Sequence, residues 1–247
     1  MHNDRLDDPR PTADAAEGVH EAVLALLKSE PPGRLLDAPA GEGAFALHAR
    51  ERGYTVVCGD IAPARFRASD MTCLKLDLNQ PWDLESESFD YVVSIEAVEH
   101  LENPWHLVRE ANRVLKTQGT LILTTPNILS IRSRLSYLLR GYPIYFTYMV
   151  QQDSRSKEER PIDHINPIGF LELRHILARC GFIVQQVAAN RLQKRVVSSL
   201  LKRLITSRGL SQVRDDQAKA AVRETLLSDP LLFGENLIVK AKKVTDV

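Results

Sequence analysis

Short apolar runs bounded by turn residues recur along the chain: LLDA (35–38), TVVCGD (55–60), CLKLDL (73–78), FDYVVSI (89–95) and TLILTTP (120–126). Each has the length of a buried strand and not of a helix. Between them the apolar spacing lengthens to the helical period, so AFALHARERG (44–53) and AVEHLENPWHLVREANRVLK (97–116, with a turn near Asn103 and Pro104) predict helices. An earlier helix is predicted from Ala13 to about Ser29, where AVLALL precedes Pro31, Pro32 and Gly33. Strand, helix, strand at this spacing means βαβ units: an α/β, doubly wound, mostly parallel sheet with helices on both faces.

The pattern changes later. FLELRHILARCGF (170–182) predicts a helix stopped at Gly181, and FIVQQVAA and NLIVKAKK then predict two strands separated by a long helical stretch at 191–233. Residues 1–12, polar with two prolines, are expected to be loosely held, and 13–247 to form one domain. Two insertions interrupt it: an aromatic one at about 130–165 and a basic helical one at about 191–233.

Composition narrows the picture. At 247 residues and 44% hydrophobic the chain can bury a full core, and its 32 basic residues balance its 32 acidic ones, so no global field recruits nucleic acid or membrane. Any such preference must be local. Cys58, Cys73 and Cys180 are odd in number and widely spaced, which points to buried thiols in a reducing compartment. No apolar stretch approaches the roughly eighteen residues of a membrane span. The polar, acidic N-terminus is unlike a signal peptide, so a cytoplasmic location is expected.

The first chemical motif is LLDAPAGEGAF (35–45), a strand, a small-residue turn and a helix start. Such a turn lets backbone N–H groups approach a ligand; it also arises wherever Gly41 and Gly43 are needed only for their dihedrals. Asp60, nineteen positions after Gly41 and followed by Ile61, adds an acid beside that turn that suits the two hydroxyls of a ribose. Asp77 in LKLDLNQPW offers an acceptor for an adenine amino group, with Leu78 to pack on the ring. Three successive strand ends offering polar groups to one nucleoside are harder to explain structurally than any one of them.

On these motifs the sequence resembles the class I S-adenosylmethionine-dependent methyltransferases. LLDAPAGEG looks like the family's first motif, CGD its second and KLDLNQPW its third; FDYVVSIEAVEHLENP and EANRVLKTQGTLILTTPN look like its fourth and fifth. The first glycine of the family's D-x-G-x-G-x-G pattern is replaced by Pro39, which fixes φ but removes a donor. The resemblance implies a Rossmann-like, seven-stranded sheet with a C-terminal antiparallel strand. It also implies that S-adenosylmethionine lies with its methionine portion against Asp37, Ala38, Gly41 and Gly43, its ribose on Asp60, its adenine near Asp77 and Leu78, and its sulfonium near Ser94 and Ile95. A dehydrogenase would share the architecture, but the turn lacks the G-x-G-x-x-G spacing. A protein that binds the nucleoside without catalysis is the third class to weigh.

SIEAVEH (94–100) then stands where the transferred methyl group would be. On a helix, Glu96, Glu99 and His100 would share one face. Three readings are open: a first-turn acid with a satisfied histidine; His100 as general base held by Glu99; or metal ligation by Glu96, Glu99 and His100, completed by His164 of PIDHINP. The last rests on E-x-x-E-H and TTPN followed by Asp163 and His164, which look like the metal segment of small-RNA 2′-O-methyltransferases and, more loosely, ubiquinone-pathway O-methyltransferases. Two carboxylates and two imidazoles suit Mn²⁺, Fe²⁺ or Zn²⁺ better than Mg²⁺.

The acceptor side carries two further signals. Tyr137, Tyr142, Tyr145 and Tyr148, with Phe146, surround a Gly-Tyr-Pro turn and are expected either to cap an acceptor or to cover a sheet edge. Residues 191–214 hold seven basic residues and no acid around a stripe of Leu192, Val196, Leu200, Leu201, Leu204 and Ile205. Such a helix either packs on the domain or touches a membrane surface or an anionic substrate. A looser likeness to methyltransferases of surface-polysaccharide synthesis points to O-methylation of a small-molecule or glycan acceptor. RNA is the alternative acceptor, and zero net charge with no appended RNA-binding domain argues against it. Nothing in the chain indicates an oligomeric state.

Overall fold

The computed structural model describes residues 10–146, 164–193 and 225–247, together with 203, 215–216, 219–220 and 223. Seven strands, β1 (Arg34–Asp37), β2 (Thr55–Asp60), β3 (Cys73–Lys75), β4 (Phe89–Ser94), β5 (Leu115–Pro126), β6 (Phe182–Ala189) and β7 (Asn236–Lys243), form one sheet in the order β3-β2-β1-β4-β5-β7-β6. The first five pair in parallel. β7 runs antiparallel between β5 and β6, with Thr120 opposite Lys242 and Pro126 opposite Asn236. The chain order reverses between β1 and β4, so the crevice beyond their C-terminal ends is where a ligand of such a sheet sits.

Helices cover both faces because the strands carry apolar side chains on both. On one face α3 (Pro104–Val114) and α5 (Phe170–Arg179) bury Leu107, Val108, Ala111, Leu173, Ile176 and Leu177 against Leu36, Val92, Leu121 and Val239. On the other, α1 (Val19–Leu27) and α2 (Ala44–Glu51) bury Val19, Val23, Leu27, Phe45 and Ala49 against Leu35, Val93, Ile122 and Ile238. α4 (Ile131–Arg140) and α6 (Asp229–Phe233) lie beyond β5 and before β7. No helix of the described residues is long and apolar enough to cross a membrane.

Three sequence expectations change. The helix expected from Ala13 starts only at Val19, after Gly18 at φ +81°. Residues 12–17 are spent instead on contacts across the molecule: Thr12 donates twice to Glu42 Oε2 at 2.9 Å, Asp14 pairs with Arg65 at 2.9 Å, and Ala16 N donates to Glu96 Oε2 at 3.2 Å. The helix expected over 97–116 is a single 3₁₀ turn at Val98–His100 followed by α3, which begins at Pro104 with the Asn103 side chain accepting from His106 N. The long apolar run at 73–78 pairs as a strand only through Lys75. Tyr148 and most of the basic 191–214 stretch, with Val196, Leu200, Leu201, Leu204 and Ile205, lie outside the described residues.

Candidate functional site

The turn after β1 is tight and already satisfied. Ala38 N donates to Val93 O, Ala40 N to Gly59 O, Gly43 N to Ala40 O, and Gly41 N to Asp60 Oδ2 at 2.9 Å. The N–H groups of Ala38, Ala40, Gly41 and Gly43 are thus taken up by the neighbouring strands, by Asp60 and by the turn itself. What the turn supplies is room. Gly43 sits at φ +94°, and a Cβ there would lie 2.6 Å from Phe66 and 2.7 Å from Ala68.

Polar capacity at the strand ends comes from side chains. Asp37 is 1% exposed and Ser94, on the neighbouring strand, is equally buried. Asp37 Oδ2 and Ser94 Oγ find no hydrogen-bond partner among the described residues. Burial, reinforced by the Asp60 charge, holds the Asp37 carboxyl well above the usual carboxylate range. Asp60 accepts from Gly41 N and, through its other oxygen, from Ala62 N at 2.8 Å. A carboxylate has about four acceptor positions, so two hydroxyls can still be taken. Ile61 is exposed beside it. Asp77, half-buried, accepts from Asn79 N at 2.9 Å, and Leu78 and Ile95 are buried in the two cores on opposite faces of the sheet. Unpartnered buried oxygens on β1 and β4, flanking a turn that only glycine can make, fit a cationic, ribose-bearing ligand such as S-adenosylmethionine.

SIEAVEH does not form a helical face. Glu96 takes a left-handed φ of +46° with its N–H held by Thr124 Oγ1 at 2.9 Å. Its carboxylate is turned away, accepting from Ala16 N and from Asn236 Nδ2. It consequently stands apart from the other three residues proposed with it. Those three meet: one ligand atom each from Glu99, His100 and His164 lies within 4.8 Å of the others, and the two imidazole centroids are 4.7 Å apart.

His164 is brought round by backbone pairing. Ile165 N and Asn166 N both donate to Glu99 O at 2.8 Å, and Asn166 Nδ2 donates to Leu101 O. The Tyr145 carbonyl lies 2.9 Å from His164 Nδ1, and since a carbonyl only accepts, Nδ1 carries the proton. In a neutral ring of that tautomer, Nε2 is the nitrogen able to act as a ligand atom. Glu99 is fully buried, and neither carboxylate oxygen reaches ordinary hydrogen-bond geometry with any described residue. Burial, with the Glu96 charge adding, pushes its carboxyl up to about 8, against weaker opposition from its own N–H and the Thr125 hydroxyl. A fully buried acid beside two imidazoles fits a divalent cation of the Mn²⁺, Fe²⁺ or Zn²⁺ kind as a ligand set.

Thr12, Ala16, Asn236 and the Tyr145 carbonyl also shape the site, and sequence reading missed them. They contribute through backbone atoms or through positions with no motif. Of the expected aromatic cap, Phe146 is buried, 5.3 Å from the His164 ring, while Tyr137 is exposed on α4.

Residues 12–187 match the family model described as a methyltransferase domain, and the chain belongs to that family. Among curated relatives it is 28% identical over 130 residues to a ubiquinone biosynthesis O-methyltransferase of Xanthomonas campestris pv. campestris (strain B100), covering 49% of this chain and 54% of the relative. It is 26% identical over 135 residues to the 27-O-demethylrifamycin SV methyltransferase of Amycolatopsis mediterranei (strain S699), covering 50% of each. The chain thus spans about half the length of the curated relatives it matches. Among solved structures, an S-adenosylmethionine-dependent methyltransferase from Archaeoglobus fulgidus superposes with a TM-score of 0.57 at 20% identity, over 91% of this chain and 94% of that one. One from Mesorhizobium loti gives 0.54 at 18% identity, over 92% and 99%. At those identities the likeness establishes the fold, a Rossmann-like methyltransferase sheet.

Proposed function

We propose that the protein transfers the methyl group of S-adenosylmethionine to a hydroxyl of a small-molecule acceptor, a sugar-bearing intermediate included. The observation that carries this reading is the pair of buried, unpartnered oxygens, Asp37 Oδ2 and Ser94 Oγ, flanking the β1 turn of a methyltransferase-family domain. Asp37 would hold the methionine amino group and Asp60 the ribose, with Ile61, Asp77 and Leu78 around the adenine. The O-methyltransferase names of the relatives support an oxygen acceptor.

The reaction is an in-line displacement. The acceptor oxygen forms a bond to the methyl carbon while the sulfur–carbon electron pair returns to sulfur, so the protein mainly aligns the two and excludes water. An oxygen acceptor must also lose its proton. In the first reading His100 takes it, with Glu99 beside it to hold the imidazole. In the second, favoured by the convergence of Glu99, His100 and His164, these residues hold a divalent cation. When bound, such a cation would acidify the acceptor hydroxyl without a separate base.

A labelled donor presented with phenolic and sugar acceptors, before and after chelation, tests both. Methylation of a hydroxyl is expected, and transfer only to amines would overturn the acceptor class. If His100 is a base, His100→Ala lowers kcat by about a hundredfold or more with donor affinity unchanged, and chelation does nothing. If it is a ligand, chelation abolishes turnover and Mn²⁺ restores it.

A further inference from the structure

α4 is turned inside out. Its sequence, IRSRLSYLLR, would ordinarily bury the leucines, yet Ser133 and Ser136 face the protein while Leu135, Leu138 and Leu139 are 52%, 80% and 72% exposed. The orientation is fixed by hydrogen bonds. Ser133 Oγ accepts from Ile144 N at 3.2 Å, and Ser136 Oγ donates to Tyr142 O at 3.0 Å. Rolling the leucines inward would break both and leave Ile144 N and Tyr142 O without these partners.

At about 100° per residue, Leu135, Leu138 and Leu139 form one stripe with Arg134 and Arg132 on its two flanks, while Ile131 at its head is partly buried against the cluster of Leu227, Leu232 and Phe233. The helix carries three arginines and no acid. An apolar stripe edged by basic side chains matches a surface with a hydrocarbon interior and an anionic rim. We propose that α4 docks on an anionic lipid bilayer, inserting Leu135, Leu138 and Leu139 among the acyl chains and setting its arginines among phosphate headgroups.

Two further observations favour this occupant. Pairing α4 with a second copy would bring arginines against arginines with no acid to neutralise them. Basic charge also continues beside the helix: Arg132 Nη1 donates to Gln193 Oε1 at 3.1 Å, two residues from the exposed Arg191. The same segment that anchors α4 through Tyr142 and Ile144 continues to Tyr145, whose carbonyl holds His164. The surface is nevertheless independent of any reaction, and binding can be read with neither donor nor acceptor present.

Co-sedimentation of the full chain with vesicles tests the proposal. Vesicles of phosphatidylcholine mixed with phosphatidylglycerol should bind it, phosphatidylcholine alone should bind it more weakly, and added salt should weaken binding to the anionic vesicles. The Leu138→Ser, Leu139→Ser double variant should lose at least about tenfold in partitioning with its melting temperature unchanged. Leu135→Ser alone should lose less. No sedimentation with anionic vesicles, or equal sedimentation of wild type and double variant, overturns the proposal. A lower melting temperature in the double variant would show that the chain itself covers the stripe. A wild-type dimer dissociated by the substitutions would assign the stripe to a second copy, and either result also overturns it.

Discussion

Asp37 ends β1 with one oxygen unpartnered, in the field of Asp60 and almost without solvent, so its folded state favours the neutral carboxyl. A carboxyl whose folded pKa lies above its unfolded value binds more protons folded than unfolded. Its contribution to stability is then complete below the ordinary aspartate value of about 3.9 and is lost as pH rises from there towards the elevated folded pKa. Asp37→Asn removes that loss. The variant is expected to unfold at higher urea than wild type at pH 7, with the gap closing towards about pH 4, measured by circular dichroism. The same substitution removes the carboxyl that a bound methionine ammonium would draw into its charged form, so calorimetry should show donor affinity down by about tenfold or more. A variant both less stable at neutral pH and unimpaired in donor binding would remove Asp37 from the site.

At the scale of elements, Asn127 illustrates how the chain beyond β5 is tied down. It follows β5, is 5% exposed, donates through Nδ2 to the carbonyls of Pro230, Leu231 and Gly234, and accepts from Leu129 N. One side chain therefore ties the start of the α4 connection to α6 and to the turn into β7. Asn127→Ala strands those carbonyls and is expected to cost roughly 1–3 kcal/mol in urea unfolding. It should also weaken acceptor binding more than donor binding, measurable as a change in KM for the acceptor alone. Little of this was legible in the sequence, because the partners are backbone atoms more than a hundred residues away. The strands were legible, since each is a short apolar run between turn residues and the sheet needs nothing else. SIEAVEH was misread as helical because its 3.6-residue spacing of Glu96, Glu99 and His100 is also compatible with a 3₁₀ turn, and its left-handed Glu96 has no signature in composition. Lys240 and Lys243, which composition places in solvent, are buried in β7, one against Glu30 and the other on the carbonyls of Asn112 and Leu115.

Across the whole molecule, the candidate site is closed by parts that are remote in sequence. Residues 12–17 reach Glu42 and Glu96, β7 reaches Glu96 through Asn236, and residues 164–166 are pinned on Glu99 and Leu101. Sequence alone raised the pairing of His164 with the E-x-x-E-H segment through resemblance; the backbone bonds to Glu99 O are the physical reason the two approach. A cation held by Glu99, His100 and His164 would bind the folded chain and not the unfolded one. Ligand at a hundredfold over its Kd would then stabilise the fold by about 2.7 kcal/mol. For a chain of this length that is a rise in melting temperature on the order of 5–10 °C. Mn²⁺ or Zn²⁺ added to chelator-treated protein should give such a rise, and Glu99→Gln or His164→Ala should abolish it. Glu96→Gln separates the geometry from the motif: the carboxylate of Glu96 is committed to Ala16 and Asn236, so this variant should keep the metal-dependent rise. Equal loss in all three variants would mean that the four residues converge as the motif implies. No rise in the wild type would overturn the ligand reading of Glu99, His100 and His164.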